Sequence, residues 1–138
     1  MTPHVYDAHV RFSDVDVYGH VNNVKYFEYY QEARIAFIAS LADGDVDSIR
    51  QVVARIDVDY RRPILFRPEP YAVETWVTRV GTTSYDLSSR ILDAPGDDRP
   101  SYSEAQVRLV AFDLASQRSR PLKGVERSRL EGALGSQL

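Results

Sequence analysis

Asp14, Asp16, Gly19, His20, Asn22 and Asn23 stand within ten residues of one another, and together they could act on a carbonyl carbon. A carboxylate can take a proton from water or attack directly. A histidine can orient water, donate to the carbonyl or protonate a leaving group. Asn is favoured just ahead of a helix because its side-chain oxygen accepts a backbone N–H that lacks a partner. A helix whose first turn starts near Asn22 or Asn23 would leave free N–H donors and the positive end of its dipole beside the preceding carboxylate. A base next to donors for a developing oxyanion suits attack on a carbonyl. The same residues also have plainer uses. Asp stabilises turns by bonding nearby backbone, a loop histidine packs its ring, and Gly19 supplies either a positive φ or room for substrate. In extended chain Asp14 and Asp16 point the same way, and two close carboxylates do not both ionise comfortably unless donors bind one. Asp14 is expected to take the structural role, anchoring the loop or pairing with Arg11.

The elements that must hold these groups read as α+β. Residues 5–12 alternate, with Tyr6, Ala8, Val10 and Phe12 on one side of a half-buried strand. From Asn23 to about Leu41 there is neither proline nor glycine. Apolar residues recur at 26, 30, 33, 37 and 41, widened by Phe27, Tyr29, Ile35, Ala36 and Ile38, with Lys25, Glu28 and Glu32 on the solvated side. A helix this apolar must be wrapped, which a curved antiparallel sheet supplies. Asp43 to Asp47, around Gly44, read as a loop. Val52, Ala54, Ile56, Val58 and Tyr60 then alternate against Val53, Arg55, Asp57 and Asp59, and Pro63 ends or bends that strand. Strands follow at 70–80, 84–92 and 102–113, with a short helix at 125–134. The whole, residues 1–138, is expected to form one domain.

Composition narrows the class. With 43% hydrophobic and 27% charged residues the chain is an ordinary globular protein. A net charge of −3 argues against a nucleic-acid surface. Fifteen of the seventeen basic residues are arginine, the better residue for bidentate phosphate contacts, although most are expected to serve solubility and surface ion pairs. The absence of cysteine excludes a disulfide framework, a thiolate nucleophile and a Cys-based metal site. His20 has no second histidine at helical spacing, so a zinc site is not indicated. There is no Gly-x-Ser-x-Gly, phosphate-binding loop or dinucleotide fingerprint. No signal-peptide pattern or long apolar run appears, so a cytoplasmic protein without a membrane span is expected.

Arg11-Phe12-x-Asp14-x-Asp16, Gly19-His20-Val21-Asn22-Asn23, Tyr26-Phe27 and Glu32-Ala33-Arg34 resemble the hotdog-fold thioesterases, in the 4-hydroxybenzoyl-CoA thioesterase-like branch and its acyl-ACP relatives. Tyr60-x-x-Pro63 and Val80-Gly81-Thr82-Thr83-Ser84-Tyr85 are similar too, and the resemblance covers roughly residues 4 to 122. It implies a hotdog fold, a curved antiparallel sheet around one long helix, and hydrolysis of an acyl- or aroyl-CoA thioester. In the resemblance Asp16 is the general base or nucleophile, the N–H at Asn23 polarises the thioester carbonyl, and His20 and Asn22 position water or substrate. Tyr18 and Gly19 would border the acyl or aryl group. Arg61 and Arg62, with Arg67, would meet the phosphates of coenzyme A or an acidic carrier protein, and Thr82, Thr83 and Ser84 the pantetheine. Glu32 and Arg34 are expected to form a structural ion pair. No cofactor is implied beyond coenzyme A itself, since a thioester is already activated. The partners implied are an acyl-CoA or acyl-carrier-protein thioester and further copies of the chain, a homodimer at least and in many relatives a homotetramer. Hotdog hydratases usually carry Asp-x4-His, whereas Asp16 and His20 are spaced Asp-x3-His. Val17-Tyr18 departs from the small residues that follow the key Asp in many relatives. The rival reading is a non-catalytic hotdog module that binds acyl-CoA.

Overall fold

The computed structural model describes residues 2–43 and 50–136; the expected loop around Gly44 therefore lies largely outside the described residues. Elements follow in the order β1 (His4–Ala8), a 3-10 turn (Phe12–Asp14), α1 (Asn23–Ala42), β2 (Gln51–Tyr60), β3 (Tyr71–Val80), β4 (Ser84–Leu92), β5 (Ser103–Asp113), β6 (Arg118–Ser119) and α2 (Gly124–Glu131). The strands form one six-stranded antiparallel sheet in the order β1-β3-β4-β5-β2, with β6 on the end of β5.

α1 crosses the concave face of this sheet. Uninterrupted helix formers carry it for 20 residues, and Asp43 stops it in the left-handed conformation at φ 49°, which a short polar side chain tolerates. It buries Tyr26, Tyr29, Tyr30, Ala33, Phe37 and Ile38 against Val73, Val77, Leu87, Ile91, Ala105 and Leu109. Each large side chain so buried is worth about 1.5–3 kcal/mol. Ala33 is fully buried and lets helix and sheet approach closely. The buried tyrosines do not leave polar atoms stranded: Tyr30 donates to Ser103 Oγ at 2.7 Å and Tyr29 to Asp14 Oδ2 at 2.7 Å. Past residue 75, the edge of β3 not bonded to β4 meets the segment after α2. Val77 N–H donates to Ala133 C=O, Gly135 N–H to Val77 C=O, and the Trp76 indole to Ser136 C=O. No helix among the described residues is long and apolar enough to cross a membrane.

Three expectations need correction. The first strand stops at Ala8, and the 3-10 turn breaks the alternation, so Phe12 is 83% exposed instead of buried. In β2 the register against β5 slips between Val53 and Arg55. The bulge at Ala54 puts Val53, opposite Leu109, on the inner face in place of Val52, while Ile56 and Val58 stay inward as the alternation predicts. Bulges add one residue to one strand and shift its faces. Glu32 and Arg34 form no ion pair: Glu32 is exposed toward β1, and Arg34 lies on the opposite flank, toward β2.

Candidate active site

The residues from Val15 to Val21 form a tight hairpin, its ends joined by a backbone bridge between Val15 and Val21. Asp16 N–H donates to His20 C=O at 2.8 Å and Gly19 N–H to Asp16 C=O at 3.1 Å. Gly19 takes φ +76°, the conformation L side chains avoid. Asp16 closes the loop through one carboxylate oxygen. Its Oδ1 accepts the N–H of Tyr18 at 2.9 Å and of His20 at 3.1 Å. Oδ2 has no hydrogen-bond partner among the described residues. The turn-stabilising and chemical uses of this residue are thus served by different oxygens of one group.

Asp14 lies in a different environment. Fully buried, it accepts from Arg11 N–H at 3.0 Å, Arg11 Nε at 3.1 Å and Tyr29 O–H at 2.7 Å. Arg11 reaches on to Glu28 at 2.7 Å. Burial alone would raise the Asp14 pKa, but the bonds from Tyr29 and Arg11 outweigh it and hold the carboxyl below its ordinary value. Burial and the same bond push the Tyr29 phenol up. The expected pairing with Arg11 is observed, and Asp14 is buried among its own partners while Asp16 lines an open cavity.

Asn22 is the N-cap of α1, but its side chain makes no capping bond. Its backbone is occupied: the N–H donates to Asp14 C=O at 2.9 Å and the C=O accepts from Lys25 N–H at 2.9 Å. The N–H of Asn23 is left without an acceptor among the described residues, an orphan donor of the kind every helix start leaves. Asp16, His20, Val21, Asn22, Asn23, Tyr26, Tyr60, Arg61, Arg62 and Pro63 surround one open cavity of about 390 Å³.

The sequence singles out six of these ten for function. Tyr18 and Gly19 do not line the cavity. Tyr18 is 79% exposed, its ring 6.4 Å from that of His20. Tyr26 and Tyr60 are walls that the sequence reading assigns to packing and to a strand. Their rings meet edge to face at 4.8 Å, Tyr60 O–H donates to Asn23 C=O at 3.0 Å, and the Tyr26 hydroxyl accepts Ile64 N–H at 3.3 Å. The available signal was Tyr60-x-x-Pro63. Arg61 pairs with Glu104 at 3.2 Å. Arg62 stacks 3.9 Å over the Tyr102 ring and donates to Pro100 C=O, yet its buried Nε has no partner among the described residues. Arg67 is engaged elsewhere, stacked on Tyr71 and bonded to Asp93 at 2.8 Å. Thr82, Thr83 and Ser84 spend their backbone carbonyls on Leu122, Ala111 and Gly81, at the β4 end remote from this cavity. Among the described residues no cluster of His, Asp and Glu could hold a metal ion.

An antiparallel sheet curled around one long helix is the hotdog architecture of the thioesterase structures this chain resembles. Residues 10–130 match the Thioesterase-like superfamily, and the chain belongs to that family. It is 30% identical over 125 residues to the long-chain acyl-CoA thioesterase FadM of Escherichia coli, covering 88% of this chain and 92% of that one. It is also 34% identical over 102 residues to the protein YsmA of Bacillus subtilis, covering 72% and 67%. Among solved structures, a Thermus thermophilus thioesterase complexed with coenzyme A and zinc superimposes with a TM-score of 0.82 at 28% identity, covering 99% and 98% of the two chains. PA2801, a putative thioesterase of Pseudomonas aeruginosa, gives 0.78 at 33% identity, covering 93% and 98%. The protein is a thioester hydrolase with the hotdog fold.

Proposed function

We propose that this protein hydrolyses acyl-CoA thioesters to the free acid and coenzyme A, with Asp16 as general base or nucleophile. One observation carries this reading: Asp16, with its unbonded Oδ2, and Asn23, with its unengaged N–H, line the same cavity. As a base, Asp16 takes a proton from water, whose oxygen attacks the thioester carbon. As a nucleophile it forms a mixed anhydride that water then opens. Either way the carbonyl oxygen gains charge facing the Asn23 N–H and the helix dipole, and the C–S bond breaks to release the thiolate. His20, at the rim of the cavity, protonates that sulfur or orients the water, and Asn22 positions the substrate. The acyl-CoA thioesterase activity named for the Escherichia coli relative supports the substrate class. Arg61 and Arg62 face the phosphates, a role supported by their place in the cavity wall.

Asp16→Asn tests the assignment. Asn keeps an oxygen to accept the Tyr18 and His20 N–H groups, so the loop should persist and the melting temperature should hold. Thioester hydrolysis, followed by thiol release over a panel of acyl-CoAs, should fall by about 10²–10⁴-fold. Near-normal turnover of the best substrate would show that the chemistry lies elsewhere.

A further inference from the structure

The Asp16 carboxylate is held by backbone alone. Its Oδ1 accepts the N–H groups of Tyr18 and His20, and no side chain bonds it among the described residues. Its direction is therefore that of the hairpin, and whatever fixes the hairpin aims the free Oδ2. The Gly19–Val21 arm is fixed in turn by the segment after β2. Val21 N–H donates to Ile64 C=O at 2.8 Å, Phe66 N–H donates to Gly19 C=O at 3.3 Å, and His20 and Leu65 face one another between these two bonds. This is the wide pair of an antiparallel ladder, in which the two facing residues turn their own N–H and C=O groups outward.

Leu65 thus presents its backbone groups on the side away from the hairpin. A second strand would ordinarily meet them there, and none does so among the described residues. One phenol serves both groups instead. Tyr71, the first residue of β3, donates its O–H to Leu65 C=O at 2.7 Å and accepts Leu65 N–H at 3.2 Å. A phenol can donate and accept at once, and phenylalanine can do neither. The ring itself is clamped. The Arg67 guanidinium lies 3.7 Å over it, and the Tyr102 ring stands edge to face with it at 5.2 Å. Both clamps are tied to Asp93, Arg67 at 2.8 Å and Tyr102 at 2.6 Å. Tyr71 is buried and does not border the Asp16 cavity. From the helix side the Tyr26 hydroxyl takes the Ile64 N–H, so the segment is held on both flanks.

We propose that Tyr71 is a positioning residue for thioester hydrolysis: its hydroxyl sets the 64–66 segment, which carries the Gly19–Val21 arm and so aims the Asp16 carboxylate. The inference rests on the thioesterase reading above. Without the hydroxyl, Leu65 N–H and C=O lose their shared partner. The segment then moves to regain one, and the displacement passes through Val21 N–H and Gly19 C=O to either side of His20. A reacting group misplaced by about 1 Å through a distant change can lose about 10²-fold in rate. Tyr71 makes no hydrogen bond to a side chain of the cavity wall among the described residues, so the effect falls on kcat and leaves KM nearly alone.

Tyr71→Phe should lower kcat about ten- to a hundredfold on the best acyl-CoA, while KM changes less than about threefold. Tyr30→Phe is the comparator. It removes a buried hydroxyl bond of the same 2.7 Å length, to Ser103, and should lower the melting temperature while leaving kcat within about twofold of wild type. Coupling to Asp16 is read from the double variant. Asp16→Asn with Tyr71→Phe should be less than about twofold slower than Asp16→Asn alone, because no carboxylate is left to aim. Amide exchange reads the brace without turnover. In wild type the Val21, Leu65 and Phe66 N–H groups should exchange about 10²-fold or more slowly than an open loop, and faster in Tyr71→Phe but not in Tyr30→Phe. Wild-type kcat in folded Tyr71→Phe, a loss carried by KM, an equal kcat loss in Tyr30→Phe, or losses that multiply in the double variant would each overturn the proposal. So would wild-type Val21 and Phe66 amides that exchange like an open loop, a result that needs no variant to fold. Near-normal turnover by Asp16→Asn alone would sink the underlying assignment of chemistry to Asp16 and the proposal with it, whereas failure of the proposal by itself leaves Asp16→Asn inactive.

Discussion

Replacing Asp14 by asparagine should damage stability far more than turnover. The carboxylate is fully buried and accepts three hydrogen bonds, from Arg11 N–H, Arg11 Nε and Tyr29 O–H. Bonds to a charged acceptor are worth roughly 1 kcal/mol more each than neutral ones. Asparagine fits the space but keeps one acceptor oxygen and turns an N–H₂ toward existing donors. Because Arg11 is largely exposed, its share is discounted for solvent screening. The expected loss is then about 2–3 kcal/mol at neutral pH, or roughly 6–15 °C in melting temperature for a domain of this size. The pH dependence has a definite sign. The folded carboxyl titrates below its ordinary value, so its stabilisation is present above the unfolded pKa near 3.9 and is lost as pH falls through the folded value. Melting curves of wild type and variant should be well separated at pH 7 and draw together as pH falls below the unfolded value toward the lower folded one. Turnover measured well below both melting temperatures should change less than about tenfold. A pH-independent gap, or a loss of turnover as large as that of Asp16→Asn in an intact fold, would refute this division of labour between the two carboxylates.

Gly19→Ala should cost about 1–2 kcal/mol from backbone conformation alone, since φ is +76° and no atom lies within 4 Å of an added Cβ; thermal melts measure the cost, and turnover should fall with it because the same loop fixes Asp16. Replacing Arg61 and Arg62 together by alanine should raise KM for acyl-CoA more than it lowers kcat, and the effect should shrink on acyl-pantetheine and at high salt; equal losses on both substrates would return these arginines to the fold. His4 packs against Phe37 with a buried Nδ1 that has no partner among the described residues, and burial lowers its pKa. Its neutral form therefore supports the fold fully above the unfolded pKa of about 6.5, and that support declines as pH falls from there toward the folded value, a slope that His4→Phe should flatten in melts between pH 7 and 5.

The helix start at Asn22 and Asn23 was legible because asparagines precede a long run without breakers, and β3, β4 and β5 were legible from period-two patterning bounded by turn residues. The bulge at Ala54 was not, since an extra residue in an already apolar run leaves the composition unchanged and shifts only the face. The exposure of Phe12 escaped for a related reason: the alternation continues on paper through a 3-10 turn that Asp14 closes from its own side chain. At the site, the motif marked Asp16, His20, Asn22 and Asn23, which share one loop and one helix start. Tyr60 and Tyr26 were harder to recognise, because they reach the cavity from elements whose proximity only the fold creates. The roles of Glu32 and Arg34 were misread from their nearness in sequence. Two residues apart on a helix they point about 200° away from one another, toward β1 and β2.

Chain order and sheet order disagree at β2. The strand is the first long one along the chain, yet its only neighbour among the described strands is β5, more than forty residues later. β3, β4 and β5 can zip as successive hairpins with little loop entropy to overcome, while β2 waits for the last of them. In that interval it has two bare edges and a strip of valine and isoleucine open to other chains. Arg55, Asp57 and Asp59, every second residue on its outer face, are the gatekeepers that make a wrong neighbour costly during the wait. Trading them for neutral β-branched residues would suit the finished sheet and endanger the nascent one.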